Sequence, residues 1–261
     1  DRLCHASILD AATLSRARLV TFRHNDPSSL AKQLARKRDY RRRLVVTESV
    51  FSMDGDVAPL PELAEVAGQH GAMFVVDEAH ATGVFGARGA GVAEEQGVGS
   101  GEITATVGTL SKALGGLGGF VTASRSVIDL MVNTARPFIF TTGIPPAQAA
   151  VALAALDVVR EEPQRRRELL SLAEELRAEL AGLGLETGGS RSQIIPVTLG
   201  EAERALAVAR RLWERGIFVP AIRPPSVPRG GSRLRISLTA AHTRDHVQRL
   251  RAALAEAVAR G

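Results

Sequence analysis

Four short runs constrain the fold more than anything else in this chain: LVVTESV (44–50), MFVVD (73–77), ITATVG (103–108) and GGFVTA (118–123). Each is rich in β-branched residues and lacks the polar alternation of a half-wet strand. Such runs predict strands buried on both faces of a mostly parallel sheet. Parallel neighbours need a crossover between them. The segment PLPELAEVAGQHG supplies the first, with proline near its start, helical spacing of its apolar residues and glycine at its close. The expectation is an α/β fold built from βαβ units, whose ligands collect where strands emerge at their carboxyl ends.

From Pro145 the pattern changes. Two long helical segments, PPAQAAVALAALDVVREE and QRRRELLSLAEELRAELAGLG, precede shorter strands at QIIPVTL, IFVPAI and RLRISL, with helices predicted at 201–215 and 243–259. This predicts a large domain over residues 1–150 and a smaller C-terminal α/β domain over 151–261. At 261 residues and 45% hydrophobic content the chain can form both cores. It opens at Asp1 in the middle of an ongoing pattern, so an N-terminal portion is expected to be missing. The single cysteine, Cys4, excludes a disulfide framework and suits a reducing, cytoplasmic compartment. No apolar run reaches membrane-spanning length; Ala147–Val159, the richest, contains Gln148 and Asp157.

The decisive chemical residue is a lysine. Only Lys32, Lys37 and Lys112 occur among 33 basic residues, and Lys112 alone lies outside the surface-like helix at 28–39. It sits in VGTLSKALGGLGG, just past a predicted buried strand and between Thr109, Ser111 and small residues. Arginine stays protonated, whereas a poorly solvated lysine is able to lose its proton and form a Schiff base. A carbonyl-bearing cofactor is implied. Pyridoxal phosphate requires such an amine, an acid at its pyridine nitrogen, a group near its phenolic oxygen and donors for its phosphate. Asp77, at the end of a predicted strand, suits the nitrogen, because pairing offsets the cost of a buried carboxylate. His80, three residues on, suits the phenolic oxygen. Thr109 and Ser111 suit the phosphate. Each residue alone has an ordinary explanation; the ordered pair strand-Asp-x-x-His and strand-Thr-x-x-Lys does not.

TLSKALGGLG resembles the lysine signature of the class II pyridoxal-phosphate aminotransferase group. TESVFSMDGDVAPL, VVDEAHATGVFG and AIRPPSVPRGGSRLRISLTAAHT resemble the α-oxoamine synthases within it, and the likeness runs from Asp1 to the final helix. It implies the pyridoxal-phosphate-dependent transferase fold (fold type I), here incomplete at its N-terminus. Lys112, Asp77 and His80 would be catalytic; His5 would stack on the cofactor ring and Ser52 lie beside it. Thr109 would bind phosphate, and Thr141 and Thr142 would reach the phosphate of a neighbouring subunit in a homodimer. Arg235 would hold the amino-acid carboxylate, with Arg233 as its competitor two positions away on the same strand. AIRPP points to the branch that condenses L-alanine with a pimeloyl thioester, on coenzyme A or an acyl carrier protein, in biotin synthesis. Glycine C-acetyltransferase, 5-aminolevulinate synthase and serine palmitoyltransferase share the catalytic set. The family also carries a stretch before the DRLCHAS equivalent, including a glycine turn at the phosphate, which this sequence lacks.

Other classes fit less well. DEAH is also an ATPase signature, but no GxxxxGK[ST] loop or Gly-Lys pair occurs here, and TLSKALGG and FSMDGD would have no role. RKRDYRRR (36–43) has one aromatic residue and reads as a solvated helix end, not a nucleic-acid surface. His242 and His246 have metal-pair spacing, yet they flank TRD at a helix start where Thr243 is a natural cap and no third ligand is near. GGLGG lacks a full dinucleotide fingerprint and reads as backbone freedom around the lysine loop. His24 and His70 read as loop and helix-end residues. Cys4 next to His5 is not a catalytic pair on adjacency alone. A non-catalytic scaffold would not need to retain Lys112, Asp77 and His80.

Overall fold

The computed structural model describes residues 1–36 and 40–259, so three residues of the basic run, 37–39, lie outside the described residues, and its described residues follow the end of α2 at Leu34. The chain forms two compact units: Asp1–Phe51 with Ala58–Pro163, and Ser52–Val57 with Gln164–Gly261.

The first unit runs α1 (Ala6–Leu14), α2 (Pro27–Leu34), β1 (Leu44–Glu48), α3 (Leu60–Gln69), β2 (Met73–Asp77), α4 (Val92–Glu95), β3 (Ala105–Thr109), β4 (Gly119–Ala123), α5 (Arg125–Thr134), α6 (Arg136–Ile139) and α7 (Pro146–Glu161). Its sheet has the order β1-β2-β3-β4. β1, β2 and β3 are parallel and β4 returns antiparallel, as the mostly parallel pattern requires. The α3 crossover buries Leu60, Leu63, Ala64 and Ala67 on one face, and Phe74 and Val76 of β2 are buried as well. Burying each of the larger side chains contributes about 1.5–3 kcal/mol. The helix ends at His70, followed by Gly71 in the left-handed region at φ 58°. The expectation of burial on both faces fails at β4, where Gly119 and Thr122 are exposed and Phe120, Val121 and Ala123 half-buried. Beside β3, α5 is the main element packed on it, so continuous hydrophobicity overstates its cover.

The second unit contains α8 (Gln164–Gly182), β5 (Ile194–Gly200), α9 (Ala202–Trp213), β6 (Ala221–Ile222), β7 (Ser232–Ser237) and α10 (Arg244–Ala259). Its antiparallel sheet has the order β5-β7-β6, and Leu176, Leu180, Ile195, Leu212, Leu234 and Leu254 are fully buried. The two units part after Pro163, just past the end of α7. That helix belongs to the first unit, where Val151 lies beside Gly116 and Val159 beside Gly83. Ser52–Val57 joins the second unit because β7 takes hold of it through Arg233 and Arg235. IFVPAI yields only the two-residue β6; Pro220 still accepts from the Arg235 backbone at 3.0 Å.

Candidate active site

Parallel strands β2 and β3 end on the same edge of the first unit's sheet, and the loops leaving them carry the candidate residues. Asp77 is the last residue of β2 and is half-buried. Its Oδ1 accepts from the Ala79 backbone at 2.8 Å, which turns the chain immediately after the strand. The Ala81 and Thr82 amides then donate to the Glu78 carbonyl at 2.9 and 2.8 Å, and this tight turn presents His80. After β3 the chain folds back on itself: Leu110 donates to Gly118 at 2.9 Å and Gly116 to Leu110 at 2.7 Å. Gly118 closes this loop at φ 117°, a conformation closed to most side chains. The two loops meet where Lys112 Nζ lies 3.0 Å from His80 Nε2.

The hydroxyls of Thr109 and Ser111 lie 2.7 Å apart, and Thr109 Oγ1 also donates to the Gly118 carbonyl at 3.1 Å. Thr109 is thus tied to the base of the lysine loop. His5 caps α1: its Nδ1 accepts from the Ser7 amide at 3.3 Å and lies 2.8 Å from Ser7 Oγ. Its ring is exposed, and its backbone amide donates to the Glu48 carboxylate at the end of β1. Thr141 and Thr142 are exposed in the loop between α6 and α7. Among the described residues their hydroxyls have one partner, the Thr142 carbonyl, 3.5 Å from Thr141 Oγ1.

Glu78 separates this site from an ATPase box. Its side chain is 1% exposed and accepts from Ser49 Oγ at 2.5 Å, Ala93 N at 2.8 Å and Val92 N at 3.1 Å. Burial pushes its carboxyl above the usual range, and these hydrogen bonds oppose that shift. A carboxylate occupied in this way is a structural strut, not a magnesium ligand. Among the described residues no cluster of three or more His, Cys, Asp or Glu is arranged for a metal ion. His246 and His242 do not form a ligand pair: His242 Nδ1 accepts from Thr239 N at 2.9 Å, and the Thr243 hydroxyl caps the helix through the His246 amide at 3.3 Å.

Ser52 and Arg235 lie in the second unit. Arg235 Nε donates to the Ser52 carbonyl at 2.5 Å and its Nη1 to Ser237 Oγ at 2.7 Å. Burial lowers its affinity for its proton, and none of its bonds is to a carboxylate. Arg233 differs, because it is paired with Asp54 at 2.5 Å and also donates to the Met53 carbonyl. The two guanidinium groups on one strand face are thereby distinguished: among the described residues, one has a carboxylate partner and the other does not. Sequence reasoning passed over Glu48 and Glu78. The signal available for both was an acidic residue next to a strand end, in TESVF and VVDEA, where a carboxylate needs a reason to be buried.

Residues 1–254 match the model of the aminotransferase class I and II family, and the chain belongs to that family. Its fold is the fold-type-I architecture of pyridoxal-phosphate-dependent enzymes. More narrowly, the chain is 54% identical over 256 residues to an 8-amino-7-oxononanoate synthase from Anaeromyxobacter dehalogenans, covering 98% of this chain and 64% of that protein. It therefore spans just under two thirds of that relative's length. Among solved structures, serine palmitoyltransferase from S. paucimobilis with bound PLP superposes with a TM-score of 0.93 at 38% identity, over 98% of this chain and 64% of that one. An 8-amino-7-oxononanoate synthase from Francisella tularensis superposes with a TM-score of 0.86 at 28% identity, over 100% of this chain and 74% of that one.

Proposed function

We propose that this chain carries the cofactor site of a pyridoxal-phosphate-dependent acyltransferase that condenses L-alanine with a pimeloyl thioester, giving 8-amino-7-oxononanoate. The observation that carries this is the convergence of Lys112 Nζ on His80 Nε2 at 3.0 Å, beside the strand that ends in Asp77. The donor set suits the cofactor: an amine, an imidazole, a carboxylate with one oxygen left over from the Ala79 bond, and two paired hydroxyls. Bound pyridoxal phosphate supplies an aldehyde and an electron-accepting ring.

The protein's own contribution follows from these positions. Lys112 Nζ would hold the cofactor's aldehyde carbon and, when free, would take a proton from the amino acid's Cα. Asp77 would pair with the pyridine nitrogen. His80 would orient the lysine and the phenolic oxygen, and His5 would serve the ring. Thr109 would bond the phosphate, and Ser52 would serve the cofactor. Arg235 would bind the amino-acid carboxylate in a forked ion pair.

Thr141 and Thr142 serve the phosphate of a second copy in a homodimer. The exposure of Phe138, Phe140 and Ile144 around them supports this, since large apolar side chains grouped at a surface mark contacts. The thiol carrier is coenzyme A or an acyl carrier protein. Among the described residues no helix is long and apolar enough to cross a membrane, and a cytoplasmic setting is part of the same proposal. The similarity to serine palmitoyltransferase favours, as second choice, another amino acid and acyl group on the same machinery.

Borohydride reduction of the full-length protein should fix a pyridoxyl group on Lys112. Lys112→Ala should abolish both that adduct and thiol release from pimeloyl thioester with L-alanine. An adduct elsewhere, or turnover surviving in the variant, overturns the assignment.

A further inference from the structure

The sequence places His5 far from Asp77, and the structure shows what joins them. Glu48 is the last residue of β1 and is 3% exposed. It stands in register with Asp77 on the adjacent parallel strand, so the two carboxylate side chains project from the same face, about 4.8 Å apart at the backbone. The segment DRLCH is fastened to this edge strand in three places. Asp1 N donates to the Val46 carbonyl at 2.9 Å, Cys4 Sγ donates to the same carbonyl at 3.6 Å, and His5 N donates to the Glu48 carboxylate. The last bond acts on the residue whose imidazole, itself held by Ser7, is the one proposed above for the cofactor ring. A carboxylate accepting an amide hydrogen bond in a buried setting makes one of the stronger contacts available to a backbone.

We propose that Glu48 is a positioning residue: by holding the His5 backbone it sets the imidazole of His5 at a fixed offset from Asp77, the gap in which the cofactor ring is clamped. This rests on the cofactor site proposed above. Glu48 does not touch the reacting atoms; its effect reaches them through His5. What matters is an oxygen acceptor at the right reach, not the charge. Glu48→Gln keeps a carbonyl oxygen there, Glu48→Asp withdraws it by one methylene, and Glu48→Ala removes it.

The test uses full-length protein loaded with pyridoxal phosphate and reads the visible circular dichroism of the bound cofactor, its dissociation constant, and kcat and KM separately. Glu48→Gln should retain the native dichroism and kcat within about threefold. Glu48→Asp and Glu48→Ala should lose most of the dichroic band and about tenfold to a hundredfold in kcat, as misplacement of a positioned group does. His5→Ala should do the same, and the Glu48→Asp, His5→Ala double variant should be no worse than His5→Ala alone, because both changes remove one effect. The proposal is overturned if the double variant multiplies the two losses, if Glu48→Gln is as damaged as Glu48→Asp, or if Glu48→Asp keeps the native dichroic band. Native protein with no visible band at all would sink the cofactor reading itself, whereas a native band insensitive to Glu48 sinks only this inference.

Discussion

Arg233 and Arg235 show how one strand gives two identical side chains different roles. Both sit on the same face of β7, yet among the described residues Arg233 is paired with Asp54 and Arg235 with no carboxylate. Substitution should separate them cleanly. Arg235→Ala should raise KM for the amino acid by about tenfold or more, because a charge-assisted fork to the substrate carboxylate is lost. Arg235→Lys should recover little, since an ammonium cannot match the planar fork. Arg233→Ala should instead lower stability by about 1–3 kcal/mol, as it leaves a half-buried carboxylate without its charged partner. Steady-state kinetics and urea unfolding on the same variants distinguish the two outcomes. Sequence alone chose Arg235 by resemblance, with Arg233 as its competitor, but offered no physical distinction between the two. Strand periodicity puts residues two apart on one face, and only the fold shows that Asp54, some 180 residues away, neutralises one of them.

At the scale of elements, the turn that presents His80 depends on a buried acid that local pattern did not reveal. Glu78 ties the end of β2 to Ser49 and to the first amides of α4. Gly91, at φ 126°, caps that helix, and a Cβ there would lie 2.5 Å from the Glu78 carboxyl carbon. Gly91→Ala should therefore destabilise the protein by about 1–3 kcal/mol, from backbone strain together with the clash, measured as a shifted urea midpoint. The pH dependence follows from the direction of the Glu78 shift. Burial raises its folded pKa above the ordinary value of 4.5, so the stability linked to its protonation is complete below 4.5 and lost as pH rises through the folded value. Glu78→Gln carries no such titration. The native protein should accordingly lose stability relative to this variant as pH climbs from about 4.5 toward neutrality; a constant difference across that interval would contradict the shift. Strands and crossovers were legible in the sequence because hydrophobic runs report burial directly. A carboxylate inside the fold was not, because its partners are a hydroxyl after β1 and two adjacent amides at the start of α4, both remote in sequence.

At the scale of the whole molecule, the lysine loop and the segment leading into α7 both carry exposed large apolar side chains. Leu117 in the lysine loop is 57% exposed, Phe138 61% and Phe140 72%. Ile144 approaches Gly118 at the close of that same loop. Monomeric proteins rarely leave contiguous apolar area of this kind uncovered. If a second copy covers it, the surface that drives association also delivers Thr141 and Thr142 to the partner's phosphate, and assembly and catalysis become one equilibrium. Phe140→Asp places a charge where the partner would have to desolvate it, so dimerisation should weaken by about two orders of magnitude or more. Sedimentation velocity over a dilution series should show dissociation at protein concentrations where the native enzyme stays paired. Activity per chain should fall in parallel, and cofactor affinity should drop with it. Adding an excess of inactive Lys112→Ala chains, which keep both threonines and the apolar face, should restore turnover to a Thr141→Ala, Thr142→Ala double variant, because a mixed dimer contains one intact lysine site served by the other chain's hydroxyls. Failure of that complementation, with mixed dimers demonstrated, would place the phosphate contacts within a single subunit.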